Sequence, residues 1–370
     1  MNKRQYGCDL PFHHMAIQPN GQIRPCCYFR PDEVPDDLNI SHPDPFNHPF
    51  LKYIRQMMLD DIPVEGCRNC YKDEQVSGRS MRTEVNESLI FGLPLGPERG
   101  KIEKLTNIDL AFSNVCNNRC RMCGPWLSTN WYSDAKKLGM DIPRGVVAKN
   151  SVIEDYDLSD LRFIKLIGGE PLMEQEKFIK LLNKCTLDKL SILLVTNATL
   201  KPNEELFDLF KQCKRVDTHL SIDAYGPINN FLRKGSIWEE IDSNVDWYVA
   251  NMSDNKQFSV SIDSVVSIYN CNQIDQMIEY KKSKGVYSKF DMVDGPDWMR
   301  PRNIPNVHKV ELLEIIKSQK EKYNEHIFDL LINELHNEGN AKDFVFHDNR
   351  LNTLRNETWQ EHNSWLSKCF

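Results

Sequence analysis

From about residue 104 onward, short apolar runs alternate with longer stretches in which apolar positions recur every three or four residues. The short runs are rich in Ile, Leu, Val and Phe. They predict strands near 106–112, 162–167, 190–195, 216–222, 257–263 and 287–292. The three-four pattern predicts helices near 127–138, 174–185, 203–213, 237–250 and 271–284. Alternation of this kind argues for an α/β fold with a parallel sheet covered by helices. Six such units suit a partial (β/α)6 TIM-like barrel, in which chemistry collects at the C-terminal ends of the strands.

The flanks have a different texture. Residues 1–75 are rich in Pro, His and Cys and poor in periodic runs, so they read as a small loop-rich module. A hairpin is predicted across His14–Ile17 and Gln22–Pro25, turned by Pro19, Asn20 and Gly21, and a helix around Phe50–Leu59. With so little core, such a module calls for a metal or cluster staple. Residues 76–103 read as a connector with a turn-rich stretch at Gly92–Gly100. The barrel is expected over 104–300. A helical C-terminal extension over 301–370 shows Leu312, Leu313 and Ile316, then Ile327, Leu330, Leu331 and Leu335, at helix spacing.

Composition narrows the classes. The 370 residues are 40% hydrophobic and 27% charged, which is ordinary for a globular protein. A net charge of −7 leaves no bulk basic footprint for nucleic acid or an anionic membrane. The N-terminus lacks an apolar signal core and no apolar run is long enough to span a bilayer, so a cytoplasmic location is expected. Twelve cysteines are many for a reducing compartment, and seven of them fall into two spaced groups that point to metal or cluster ligation. Cys185, Cys213 and Cys271 read as small hydrophobic filler.

Cys116, Cys120 and Cys123 lie within eight residues, directly after the first barrel strand, and no fourth Cys or His stands nearby. A structural zinc site wants four protein ligands, so the zinc reading needs a distant donor. Three thiolates on a cubane leave one iron open for an exchangeable ligand. The Cys-x3-Cys-x2-Cys pattern after a strand resembles the radical S-adenosylmethionine (radical SAM) superfamily, although Met122 stands where an aromatic residue is frequent. The resemblance implies a [4Fe–4S] cluster whose open iron chelates SAM, and one-electron cleavage of SAM to a 5′-deoxyadenosyl radical that abstracts a hydrogen atom from substrate. The hard chemistry would belong to the cofactor, with the protein supplying position and solvent exclusion.

Downstream positions agree with that resemblance. Gly168, Gly169 and Glu170 close the second strand and resemble the Gly-Gly-Glu motif that binds the SAM amino group. Thr196 and Asn197, before Ala198, resemble the Thr-Asn-Gly corner. Ser221 and Asp223 are similar to the Ser-x-Asp strand end that meets the SAM ribose. Arg233 resembles the arginine that pairs with the SAM carboxylate, and Asn270 a common polar position after the fifth strand. A solvated helix-end arginine remains the bland alternative for Arg233.

In the second cysteine group, Cys8 precedes Gly21 and Cys26, and Cys67 and Cys70 form a Cys-x2-Cys knuckle. This arrangement resembles the Twitch domain, the short form of the SPASM auxiliary-cluster module. The resemblance implies a second [4Fe–4S] cluster on Cys8, Cys26, Cys67 and Cys70, with Cys27 as the alternative to Cys26. A zinc ribbon fits the same spacing. Known Twitch modules follow the barrel, whereas this one precedes it. The expectation is nevertheless that it covers the barrel mouth.

A cluster closed by four thiolates suits an electron acceptor. The resemblance then implies a net oxidation or cross-link of a peptide, with a sugar or nucleotide metabolite as the alternative substrate and flavodoxin or ferredoxin as reductant. His13, His14, Tyr28, Arg30 and Trp126 are candidate substrate contacts, each read as structural before functional. A non-catalytic zinc protein and a cluster-binding scaffold without turnover remain as other classes. No general acid or base is identifiable.

Overall fold

A computed structural model describes residues 5–87, 104–142, 156–253 and 256–370. The N-terminal part forms β1 (His14–Ile17), β2 (Ile23–Arg24), α1 (Pro49–Leu59), α2 (Arg68–Ser77) and α3 (Met81–Asn86). Then come β3 (Asn107–Ala111), α4 (Tyr132–Leu138), β4 (Phe163–Ile167), α5 (Gln175–Leu182), β5 (Ser191–Thr196) and α6 (Glu204–Phe210). They are followed by β6 (Arg215–Ser221), α7 (Pro227–Leu232), α8 (Trp238–Met252), β7 (Phe258–Val266), α9 (Ile274–Lys284) and β8 (Tyr287–Met292). The tail is helical: α10 (Asn306–Tyr323), α11 (Ile327–His336), α12 (Ala341–Arg355) and α13 (Ser364–Cys369). Part of the predicted connector, including Gly92–Gly100, lies outside the described residues.

All eight strands share one sheet in the order β2-β1-β3-β4-β5-β6-β7-β8. β1 pairs antiparallel with β2, while the β1–β3, β3–β4, β4–β5 and β7–β8 pairs are parallel. The fold is the expected mixed α/β class, consistent with a partial (β/α) barrel built on β3–β8. β7 runs past the predicted end at 263 because its register with β8 continues to Val266↔Met292. Along β6, Val216, Thr218 and Leu220 are buried, while Arg215, Asp217, His219 and Ser221 on the other face are half-buried. A polar inner face of this kind is what a barrel with a ligand site needs.

The chain divides into two compact units. The first comprises Met1–Asn114, Arg144–Leu194 and Pro202–Val216. Here the predicted hairpin forms, with Gly21 at φ 81 in its turn. Sequence reading did not foresee that β1 also joins the barrel sheet by parallel pairing with β3, nor that α2 starts at the Cys67–Cys70 knuckle. One expectation is overturned within this unit. Phe12 and His13 run beside Lys104 and Thr106, ahead of β3, and β2 carries the chain back so that the Pro25 carbonyl lies 3.0 Å from His14 Nδ1. Cys8 and Cys26 therefore sit at the N-terminal end of the parallel strands, not at the mouth. The parallel pairing of β1 with β3 sets this, because it fixes which end the hairpin's open side faces.

The second unit comprises Val115–Pro143, Val195–Lys201 and Asp217–Phe370. Its core joins barrel and tail: Ile228, Phe231, Ile268 and Tyr269 pack with Leu312 and Ile316 of α10, Phe328 and Leu331 of α11, Phe344 of α12, and Trp359. The extension is thus part of the unit's interior. Among the described residues no helix is long and apolar enough to cross a membrane.

Candidate metal centres

In the second unit, Cys116 is buried and Cys120 and Cys123 are half-buried. Their loop is held by its backbone. The Cys123 N–H donates to the Cys120 carbonyl at 3.1 Å, and the Trp131 indole donates to the same oxygen at 2.8 Å. The Arg119 and Arg121 N–H groups donate to the carbonyls of Lys234 and Leu232, each at 2.8 Å. Cys116 Sγ accepts from the Asn118 N–H at 3.4 Å and the Asn197 amide at 3.9 Å. Donors aimed at sulfur favour a thiolate, the form in which cysteine binds metal.

Burial pushes the Cys120 thiol up while Arg233 pulls it back down. Cys123 is pushed up to about 12, by burial first and then by Cys120. Burial works against the Arg233 charge, yet Asp223, Cys120 and Cys116 hold its pKa above the ordinary value. The structure thus brings Arg233 to the cysteine triplet. Asp223, itself buried, grips the guanidinium with both oxygens at 2.7 and 3.1 Å and also accepts the Val265 N–H at 3.0 Å. Here Asp223 orients Arg233. Asn270 braces the same corner, donating to the carbonyls of Asp223 and Val265 at 2.8 and 3.0 Å.

Asn197 donates to Asn117 Oδ1 at 2.9 Å and accepts from the Thr199 N–H, tying the third-strand corner to the cysteine loop. Thr196 Oγ1 accepts from the Ala198 N–H at 3.3 Å. Ala198 takes φ 62, the left-handed conformation that a glycine would adopt without strain. Ser221 closes β6, half-buried. Gly235, at φ 111, lies under the loop: an added Cβ would stand 2.6 Å from the Asn117 carbonyl oxygen. Gly235→Ala is expected to cost about 2 kcal/mol or more, read as a lower Tm together with reduced iron retention.

In the first unit, Gly168 at φ 134 lets its strand end approach Ser113, whose carbonyl oxygen would lie 2.8 Å from an added Cβ and accepts the Gly169 N–H at 3.1 Å. Glu170 is buried, and its Oε1 caps the following turn by accepting the Leu172 N–H at 3.1 Å.

The same unit gathers the other cysteines. Cys8 and Cys70 are buried, Cys26 and Cys67 half-buried. Burial first, and then the neighbouring thiols, raise the groups: Cys67 and Cys70 act on Cys8, while Cys27, Cys8, Cys67 and Cys70 act on Cys26. Cys67 is pushed up to about 12 by burial and then by Cys70. Around Cys70, burial raises the thiol while the Arg82 N–H and the Ser80 hydroxyl favour the thiolate. Cys27 also acts on Cys26, but its own surroundings differ. Burial and then Asp109 push it up to about 12, and its sulfur lies 3.9 Å from Met81 Sδ. Among the described residues no three His, Cys, Asp or Glu side chains close on one metal-ion position. The fit of either group to an iron–sulfur cluster therefore rests on the donor chemistry: neighbouring buried or half-buried thiols, with N–H groups near the Cys116 and Cys70 sulfurs.

Most candidate substrate contacts serve the scaffold. His14 lies between the Pro25 carbonyl and Asp109, 3.3 Å away. Tyr28 donates to Asp73 at 3.0 Å, Arg30 pairs with Asp32, and burial lowers the pKa of His13. Trp126 is exposed, its ring lying over Gly124. Two features escaped sequence reading. One is the pair His219–Asp263, joined at 2.8 Å on the polar face of β6 and β7, with Ser261 donating to the other Asp263 oxygen at 3.0 Å. The alternation of Arg215, Asp217, His219 and Ser221 could have signalled it. The other is the buried Arg121, for which one arginine between two cysteines is no signal.

Comparison with curated proteins gives no match. Among solved structures, the chain is similar to "Native anSMEcpe with bound AdoMet", at 18% identity and a TM-score of 0.43, over 61% of this chain and 62% of that one. It is also similar to "Crystal structure of Streptococcus suis SuiB bound to S-adenosylmethionine", at 11% identity and a TM-score of 0.36, over 74% and 62%. The chain thus spans about three fifths of the length of these relatives. Residues 110–279 match the family model of the Radical SAM superfamily, a stretch that holds the three cysteines Cys116, Cys120 and Cys123 as well as Gly168–Glu170, Asp223 and Arg233.

Proposed function

We propose that this chain is a radical SAM enzyme that carries a second, four-cysteine cluster and catalyses a net oxidation or cross-link of a peptide. The observation that carries the first part is Arg233, gripped by Asp223 and set beside Cys116 and Cys120 in the segment that matches the superfamily. When bound, a [4Fe–4S] cluster with SAM supplies one-electron cleavage to a 5′-deoxyadenosyl radical. Cys116, Cys120 and Cys123 would hold that cluster. Arg233 offers a fixed cation for the SAM carboxylate, and the likeness of Gly168–Glu170 to the Gly-Gly-Glu motif assigns them its amino group. Ser221 and Asn197 supply polar edges.

The second part is supported by the nearness of Cys8, Cys26, Cys67 and Cys70, whose thiols raise one another's pKa, together with their Twitch-like spacing. Four thiolates leave no open iron, so this cluster would not ligate substrate, and its place at the strand starts gives it no direct part at the strand ends. The peptide assignment follows from the Twitch-like spacing. A flavodoxin or ferredoxin is the reductant we expect.

Anaerobic purification and reconstitution test the reading. A brown protein carrying iron and sulfide, which forms 5′-deoxyadenosine from SAM under dithionite, is expected. A colourless, zinc-loaded protein without that activity would overturn it. Co-expression with short peptides encoded beside the gene, read by mass spectrometry for loss of hydrogen, tests the substrate class.

A further inference from the structure

The C-terminal extension places a carboxylate at the back of the cysteine loop. Glu357 divides its two oxygens: Oε1 lies 2.9 Å from Arg121 Nη2, and Oε2 lies 2.7 Å from Lys234 Nζ. Arg121 stands between Cys120 and Cys123, and Lys234 directly follows Arg233. These two backbones already pair through Arg119 N–H to the Lys234 carbonyl and Arg121 N–H to the Leu232 carbonyl. Glu357 is thus a side-chain clip across the two segments that carry the cysteines and the arginine.

The surroundings make this clip directional. The Arg121 guanidinium is fully buried, 3.8 Å above the Phe231 ring. It also donates to Asp348 Oδ1 at 3.0 Å, to Asn352 Oδ1 and to the Tyr269 hydroxyl at 3.3 Å. Asp348 is in turn fixed by Trp359 Nε1 at 2.6 Å and Asn352 Nδ2 at 2.7 Å. Asp134 takes Arg119 at 3.0 Å and Arg355 at 2.8 Å on its two oxygens, so α12 holds the loop from a second side. A guanidinium this deep is a poor device for stability, because desolvation offsets most of the ion-pair attraction. Its several directional partners instead define one geometry.

We propose that Glu357, with Asp348 behind Arg121, is a positioning residue: it sets the distance between Arg233 and the cysteine triplet, and with it the affinity for SAM. This rests on the radical SAM reading above. Glu357→Gln keeps an oxygen for Arg121 but loses the charge that serves both cations. In the anaerobically reconstituted variant, iron and sulfide content should match the parent. The SAM-induced change in the EPR spectrum of the reduced cluster should be weakened, and the KM for SAM in 5′-deoxyadenosine formation should rise about tenfold with a smaller change in kcat. Lys234→Met, which cuts only the second arm, should produce the same pattern, and it decides the matter if Glu357→Gln fails to accumulate. Variants with parental KM and EPR response overturn the proposal and leave the radical SAM reading standing. A parent chain without cluster or 5′-deoxyadenosine formation overturns that reading instead.

Discussion

Replacing Cys120 by alanine is expected to abolish 5′-deoxyadenosine formation and to remove about four iron atoms per chain. Three thiolates are the fewest that can hold a cubane with one open iron, and no further Cys or His lies in the 116–123 segment to take over. The loop itself should survive. Cys120 contributes its carbonyl to Trp131 and to the Cys123 N–H, and alanine keeps that carbonyl. Loss of a half-buried thiol should cost only about 1 kcal/mol. Circular dichroism and Tm close to the parent, with iron retained at the other cysteine group, would separate a missing ligand from a misfolded chain. Cys120→Ala protein that still forms 5′-deoxyadenosine at the parental rate would remove the triplet from the proposed function.

The barrel was legible because its strands announce themselves locally. Ile164, Leu166, Ile192, Leu194, Val216 and Leu220 face the helices and are fully buried, so the apolar period survives in the sequence. The cysteine triplet was legible for a similar reason: its ligands are close in the chain, and spacing alone carries the chemistry. The Arg233 site was half legible. Its position followed from resemblance, but the Asp223 grip depends on a ten-residue return that only the folded corner supplies.

What could not be read is long-range. Arg121 meets Asp348 and Glu357 more than two hundred positions away, and the tail's contribution to the core has no local signature beyond helix period. The misplaced N-terminal module has the same origin. A hairpin predicted from Asn20 and Gly21 says nothing of which neighbour it pairs with or in which direction, so the pairing of β1 with β3 had to come from the structure. That pairing puts the second cysteine group at the strand starts. The Gly168–Glu170 turn lies at the strand ends of the same unit, with Asp109 and Lys165 paired across β3 and β4 between them.

The choice between Cys26 and Cys27 gives the sharpest test of that group. Both residues lie in the turn that follows β2. Cys26 goes towards Cys8, Cys67 and Cys70, while Cys27 turns to Asp109 and Met81. Cys26→Ala is therefore expected to lose about four irons per chain while 5′-deoxyadenosine formation without substrate persists. Cys27→Ala should keep its iron, since the thiol it removes lies against Asp109 and Met81 and none of Cys8, Cys67 and Cys70 is among its main influences. Iron and sulfide analysis with Mössbauer spectroscopy on both variants reads the difference. Equal iron loss in the two would place both sulfurs at the metal. Full iron in Cys26→Ala would exclude it as a ligand, and zinc in place of iron at this site would overturn the second cluster.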